Sequence, residues 1–90
     1  MKFIRISALW CSSCILTLPL WEEIKKEYPN FLFEELDYDM DESQVEKYQI
    51  GKIIPVIIIL DEENIEIGRI VGEKTKKEMV EYIEQLRSNI

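Results

Sequence analysis

Histidine is absent from the 90 residues, and cysteine occurs only twice, within one five-residue stretch. A structural zinc ion wants four ligands. Without imidazoles or a second cysteine pair, such a site would need a dimer. Two cysteines also fall short of the framework that staples a secreted mini-protein. Positive charge is in the minority: 11 Lys and Arg stand against 18 Asp and Glu, for a net charge of −7. An acidic surface repels phosphate backbones and anionic lipid, so neither nucleic acid nor a membrane is an expected partner. Long apolar runs are missing too. The start, MKFIRISALWC, carries Lys2 and Arg5 and offers no signal-peptide core, and Ile53–Leu60 is far too short to span a bilayer and contains Pro55. There is no repeat, low-complexity tract or linker. The reading is a soluble, cytoplasmic, monomeric chain forming one domain over residues 1–90.

What is present is 47% hydrophobic and 32% charged, a composition that packs a core. Lys2–Ala8 alternates Phe3, Arg5 and Ser7 against Ile4, Ile6 and Ala8 and predicts a short strand. From Cys11 to about Tyr28 the period becomes helical, with Ile15, Leu18, Trp21, Ile24 and Tyr28 on one side, and Pro29-Asn30 ends it. Phe31–Tyr38 predicts a second strand and Asp39–Tyr48 a mostly polar helix touching the core through Val45 and Tyr48. Pro55–Leu60 is a third strand whose unbroken aliphatic run implies cover on both faces. After the turn Asp61–Asn64, Ile65–Val71 is a fourth strand. Thr75-Lys76-Lys77-Glu78 is a capping box, and the helix it opens buries Met79, Tyr82, Ile83 and Leu86. The order βαβαββα makes the first two strands parallel and the last two antiparallel, giving an α/β fold with helices on both faces of one sheet.

Trp10-Cys11-Ser12-Ser13-Cys14 sits where the first strand hands over to the first helix. A helix N-terminus exposes unpaired N–H groups and carries partial positive charge, which stabilises a thiolate at Cys11. Cys14, one turn further in, is more shielded. An exposed attacking thiol and a buried resolving one suit thiol–disulfide exchange. Two other readings stay open on these residues alone: a pair of inert buried thiols, and a soft-metal site in which the two thiolates hold copper(I). Ile54-Pro55, opening the third strand, is the second signal. An X–Pro bond there can be cis or trans, and the sequence does not choose.

These residues together resemble the thioredoxin-like family over essentially the whole chain. Trp10-Cys11-Ser12-Ser13-Cys14 is similar to its WCxxC, Pro19 to the proline that kinks the active-site helix, Ile54-Pro55 to the cis-proline dipeptide, and Val71-Gly72 with Thr75 to the segment before the last helix. The resemblance implies a mixed four-stranded sheet of order 2-1-3-4. It begins at the family's redox strand, so a minimal, glutaredoxin-sized version of the fold is expected. It implies a thiol–disulfide oxidoreductase, a reductase of disulfide-containing protein substrates. Cys11 would be the nucleophile and Cys14 the resolving thiol. Trp10, Ile54, Pro55 and Gly72 would form the apolar rim that docks substrate. No metal or cofactor is implied beyond the Cys11–Cys14 disulfide, which a separate reductase or small thiol recycles.

The glutaredoxin branch, with a glutathione-dependent reductase, is the alternative within the fold, but no Gly-Gly-Asp-like segment follows the last strand. A copper module would follow a βαββαβ order and needs neither Trp10 nor Ile54-Pro55.

Three departures from the family pattern, at four positions, are read as tuning residues. Ser12-Ser13 replaces the usual Gly-Pro, and its hydroxyls could donate to the Cys11 thiolate, which would make the pair more oxidising. Arg5 stands where the family has a buried acid, and Glu35 where it has a lysine. The charge swap leads to two expectations. Either Arg5 and Glu35 pair beneath the site, with Glu35 taking the proton of Cys14, or a first strand near the sheet's edge lets Arg5 reach solvent.

Overall fold

Alternating side chains on four short stretches assemble a mixed sheet in the computed structural model, which describes residues 1–88. The elements are β1 (Lys2–Ser7), α1 (Ser12–Glu27), β2 (Leu32–Asp37), α2 (Glu42–Glu46), β3 (Val56–Leu60), β4 (Glu66–Val71) and α3 (Lys76–Ser88). The strand order is β2-β1-β3-β4, with β1 parallel to β2 and antiparallel to β3, and β3 antiparallel to β4. The order is the one the resemblance implies, and the β1–β2 and β3–β4 directions are those expected from their connections.

The period-2 pattern of β1 divides the core. Phe3 joins Trp21, Ile24, Ile57, Ile59, Met79 and Ile83 on the face covered by α1 and α3. Ile4 and Ile6 join Leu36, Val45, Ile54, Val56 and Ile58 on the face covered by α2. All five residues of β3 are buried, as an aliphatic strand between two layers must be. The capping box forms as read: the Thr75 hydroxyl accepts from the Glu78 N–H and the Glu78 carboxylate accepts from the Thr75 N–H, both at 3.1 Å.

Two expectations change. The helix read over Asp39–Tyr48 shrinks to Glu42–Glu46. Its first residues go into a turn instead, where the Asp37 carboxylate accepts from the Asp39 and Met40 N–H groups and the Asp41 carboxylate accepts from the Asp37 N–H. Aspartate competes with the helix for backbone donors in this way. Its C-terminal end stops where Gln49 turns to φ 52°. In α1 the buried stripe runs through Cys14, Thr17, Trp21 and Ile24, whereas Ile15 and Leu18 are 61% and 40% exposed. The helix is rotated so that a cysteine and a threonine, not the two aliphatics, face the sheet.

Candidate active site

The chain leaves β1 through Ala8, Leu9 and Trp10 and starts α1 with Cys11 at the N-cap, its backbone extended at φ −92°, ψ 108°. Here a sulfur takes the place of the usual capping oxygen: Cys11 Sγ accepts from the Cys14 N–H at 3.2 Å. One turn separates the two cysteines, and their sulfurs lie 2.6 Å apart, with the Cys14 thiol donating to Cys11. The Cys11 thiol faces the Ile54 carbonyl oxygen at 3.6 Å. Both cysteines are free and buried, Cys11 at 7% exposure and Cys14 at 3%. The expectation of an exposed attacking thiol is therefore corrected. Cys11 is the more open of the two, but the Ile54 backbone and the turn at Ala8 enclose it.

Burial is the main reason the Cys14 thiol is pushed up from its usual 9 to about 11, and its bond to Cys11 adds to the effect. A backbone hydrogen bond at Ala8 and, to a smaller extent, the positive charge of Arg5 work in the opposite direction.

The loop before β3 completes the surroundings. The Ile54–Pro55 bond is cis. Pro55 is buried, and its carbonyl accepts from the Gly72 N–H at 2.8 Å. Gly72 has φ 83°, in the region glycine tolerates, and a Cβ there would sit 3.5 Å from the Ile53 side chain. Ile54 itself is buried at 8%, so its side chain is not part of an open rim. The neighbouring Ile53 is, at 61% exposure. Trp10 is 63% exposed. Its indole N–H donates to the Asp39 carboxylate at 2.6 Å, and its ring meets Tyr38 edge-on at 6.2 Å. Leu9, Ile15 and Leu16 are exposed nearby in sequence, at 85%, 61% and 69%. A groove of about 610 Å³ lies beyond Trp10, lined by Tyr38, Asp39, Val45 and Ile50 among others, and not by the sulfurs.

Arg5 and Glu35 face each other in the β1–β2 register and bond at 3.4 Å. The alternative, Arg5 in solvent, is overturned. β1 is an inner strand and Arg5 is 3% exposed. Its other amino group donates to the Cys14 carbonyl at 2.6 Å and to the Thr17 hydroxyl at 3.5 Å. Glu35 is 41% exposed and also lies 3.8 Å from Lys25. Ser12 is exposed and Ser13 half-buried, and among the described residues neither hydroxyl bonds to Cys11. The sulfur is instead supplied by the Cys14 N–H and thiol. Thr17, Asp39 and Lys25 escaped the sequence reading. Only Thr17 had a signal, its i+3 spacing from Cys14.

Among the described residues no group of three or more His, Cys, Asp or Glu side chains is placed to hold a metal, and no helix is long and apolar enough to cross a membrane. The element order is βαβαββα, not the βαββαβ of the copper alternative.

The family model described as thioredoxin matches residues 2–85. Thioredoxin H5 of Oryza sativa subsp. japonica is 31% identical over 83 residues, covering 92% of this chain. The chain spans 59% of that relative's length. Among solved structures, Fasciola hepatica thioredoxin superposes with a TM-score of 0.84 at 25% identity, covering 93% of this chain and 78% of that one. A complex of ferredoxin:thioredoxin reductase with thioredoxin f2 contains a chain of the same fold, with a TM-score of 0.82, 22% identity, and coverage of 96% of this chain and 76% of that one.

Proposed function

This chain belongs to the thioredoxin family, and from that premise we propose that it is a thiol–disulfide oxidoreductase that reduces disulfides in protein substrates. The observation that carries this is the sulfur pair: two free thiols 2.6 Å apart at the first turn of α1, one more accessible than the other. Deprotonated Cys11 attacks one sulfur of a substrate disulfide and displaces the other as a thiolate, which takes up a proton. Cys14 then loses its proton and attacks Cys11 Sγ, and the second substrate sulfur leaves. The substrate gains two electrons and two protons, and the protein is left with a Cys11–Cys14 disulfide.

The residues around the pair support docking of an extended segment. Trp10, adjacent to Cys11 in the chain, and Ile53, adjacent to the Ile54 that contacts Cys11, offer exposed apolar surface. The Gly72–Pro55 hydrogen bond ties down the start of β3, and Ile54 presents backbone to a substrate strand. Recycling falls to a separate reductase or a small thiol. That a thioredoxin f2 has been captured with ferredoxin:thioredoxin reductase supports the protein route. The reading is of a monomer working in the cytoplasm, with no cofactor besides its own disulfide.

The test is equilibration with graded dithiol and glutathione buffers, read by mass. An intramolecular disulfide with a potential near the roughly −270 mV of thioredoxin supports the reductase. A value of about −200 mV or higher turns the direction to oxidation or isomerisation. Failure to form the disulfide in any buffer overturns the function.

A further inference from the structure

Among the described residues Arg5 is the only charged side chain that is buried. A guanidinium taken out of water is costly unless it is fully partnered. Two of its three partners are neutral: the Cys14 carbonyl at 2.6 Å and the Thr17 hydroxyl at 3.5 Å. The third, Glu35, is a long contact at 3.4 Å, is 41% exposed, and is shared with Lys25 at 3.8 Å. Water and Lys25 screen the carboxylate, so the positive charge is not cancelled on its inner side, where Cys14 lies. Among the described residues no carboxylate acts on Cys14. Among the described residues Cys11, the N-cap of α1, is the one other titratable thiol beside it, β3 supplies only aliphatic residues, and Lys74 of the loop before α3 lines a 10 Å³ cavity with Arg5 and Thr17.

We propose that Arg5 is the positioning residue of the resolving step: anchored on the Cys14 carbonyl, its charge stabilises the Cys14 thiolate as it attacks Cys11, and Glu35 sets how much of that charge is felt. This rests on the exchange chemistry proposed above and reverses the role expected of Glu35. The carboxylate is not the proton acceptor but a brake on the cation. In the step, the Cys14 S–H proton leaves to solvent and the Cys14–Cys11 bond forms. The Cys11–substrate bond breaks, and the departing substrate thiolate takes a proton from solvent, so charge and electrons balance. The upward shift of Cys14 through burial makes such help necessary, and the opposing influence of Arg5 is consistent with it.

The experiment mixes the reduced protein with an aromatic disulfide that releases thionitrobenzoate, by stopped flow from pH 6 to 9. The first release reports attack by Cys11 and the second reports resolution by Cys14. E35Q should speed the second release about threefold at pH 7 and move its pH profile to lower pH. R5M should slow it about tenfold and move the profile to higher pH, and R5K should recover most of the rate. Glu35 is half in water, so E35Q keeps the test open if R5M does not fold. Slower resolution in E35Q, an unmoved profile, or an R5K as slow as R5M overturns the proposal. A wild-type protein that never gives the second release overturns the exchange reading itself.

Discussion

Raising the pH of the reduced protein from about 8 to 11 should cost it stability through Cys14. The thiol titrates near 9 in the unfolded chain and near 11 in the fold, where burial and the bond to Cys11 hold its proton. Below pH 9 both states keep the proton and the contribution is fully present. Between 9 and 11 the unfolded chain loses the proton while the fold retains it, so stability falls at about 1.4 kcal/mol per pH unit. Above 11 both states are ionised and the fall ends. Over the whole window the loss is on the order of 2–3 kcal/mol. Tyr28, raised to about 12 by burial and its bond to Glu84, acts with the same sign at still higher pH, so the wild type alone is not a clean readout. The assay is urea unfolding of the reduced wild type and of Cys14→Ala under strict reductant at each pH. Groups common to both and out of contact with Cys14, Tyr28 among them, cancel in the difference, and what remains belongs to the Cys11–Cys14 pair. That difference should be constant up to pH 9 and then decline. A difference that stays flat to pH 11, or that grows, would refute the assignment of a buried, proton-holding Cys14.

Two further substitutions probe the site's rim and the scaffold behind it. Asp39→Ala frees the Trp10 indole, and losing a hydrogen bond of about 1 kcal/mol should raise KM for a protein disulfide about fivefold with kcat nearly unchanged; a change in kcat alone would contradict the docking role of Trp10. Gly68→Ala puts a Cβ 2.5 Å from the Tyr82 hydroxyl and 3.1 Å from Leu86, so α3 must shift or Tyr82 must swing out. A loss of about 1–2 kcal/mol is expected in denaturant melts, and a Tyr82→Ala background should remove most of it.

The fold was legible where the pattern is local and redundant. The alternation in β1, the apolar run of β3 and the Thr75–Glu78 box each name their element without help from the rest of the chain. α1 was legible as a helix but not in its rotation. Ile15 and Leu18 look like core residues. The face that turns inward is instead set by Cys14, which must meet Cys11, and by Thr17, which meets Arg5. A tertiary demand decided against hydrophobicity, and periodicity does not record such demands. At α2 the reason is local instead: the Asp37 and Asp41 carboxylates accept backbone N–H groups within five residues and close a turn where a first helical turn was expected. At the site, the spacing of Cys11 and Cys14 and the place of Ile54-Pro55 were readable. The pairing of Arg5 with Glu35 depended on which strand is interior, and the bond of Trp10 to Asp39 joins segments that only the fold brings together.

β3 has a consequence for the chain before it folds. Its five aliphatic residues are safe in the native sheet, flanked on both sides by strands. In an open chain the same stretch, β-branched, uncharged and without an internal proline, is the composition that pairs with copies of itself. Its hairpin partner β4 follows at once, but β1, which covers the other edge, lies more than half the chain length away. Closing so long a loop is slow compared with forming a hairpin. During synthesis β1 emerges first and is already available when β3 appears. On refolding from denaturant every chain passes through a stage with that edge uncovered. Asp61, Glu62 and Glu63, directly at the exit of the strand, place charge where an intruding strand would have to align. The acidity of the chain thus guards its least polar segment through the interval in which nothing else does.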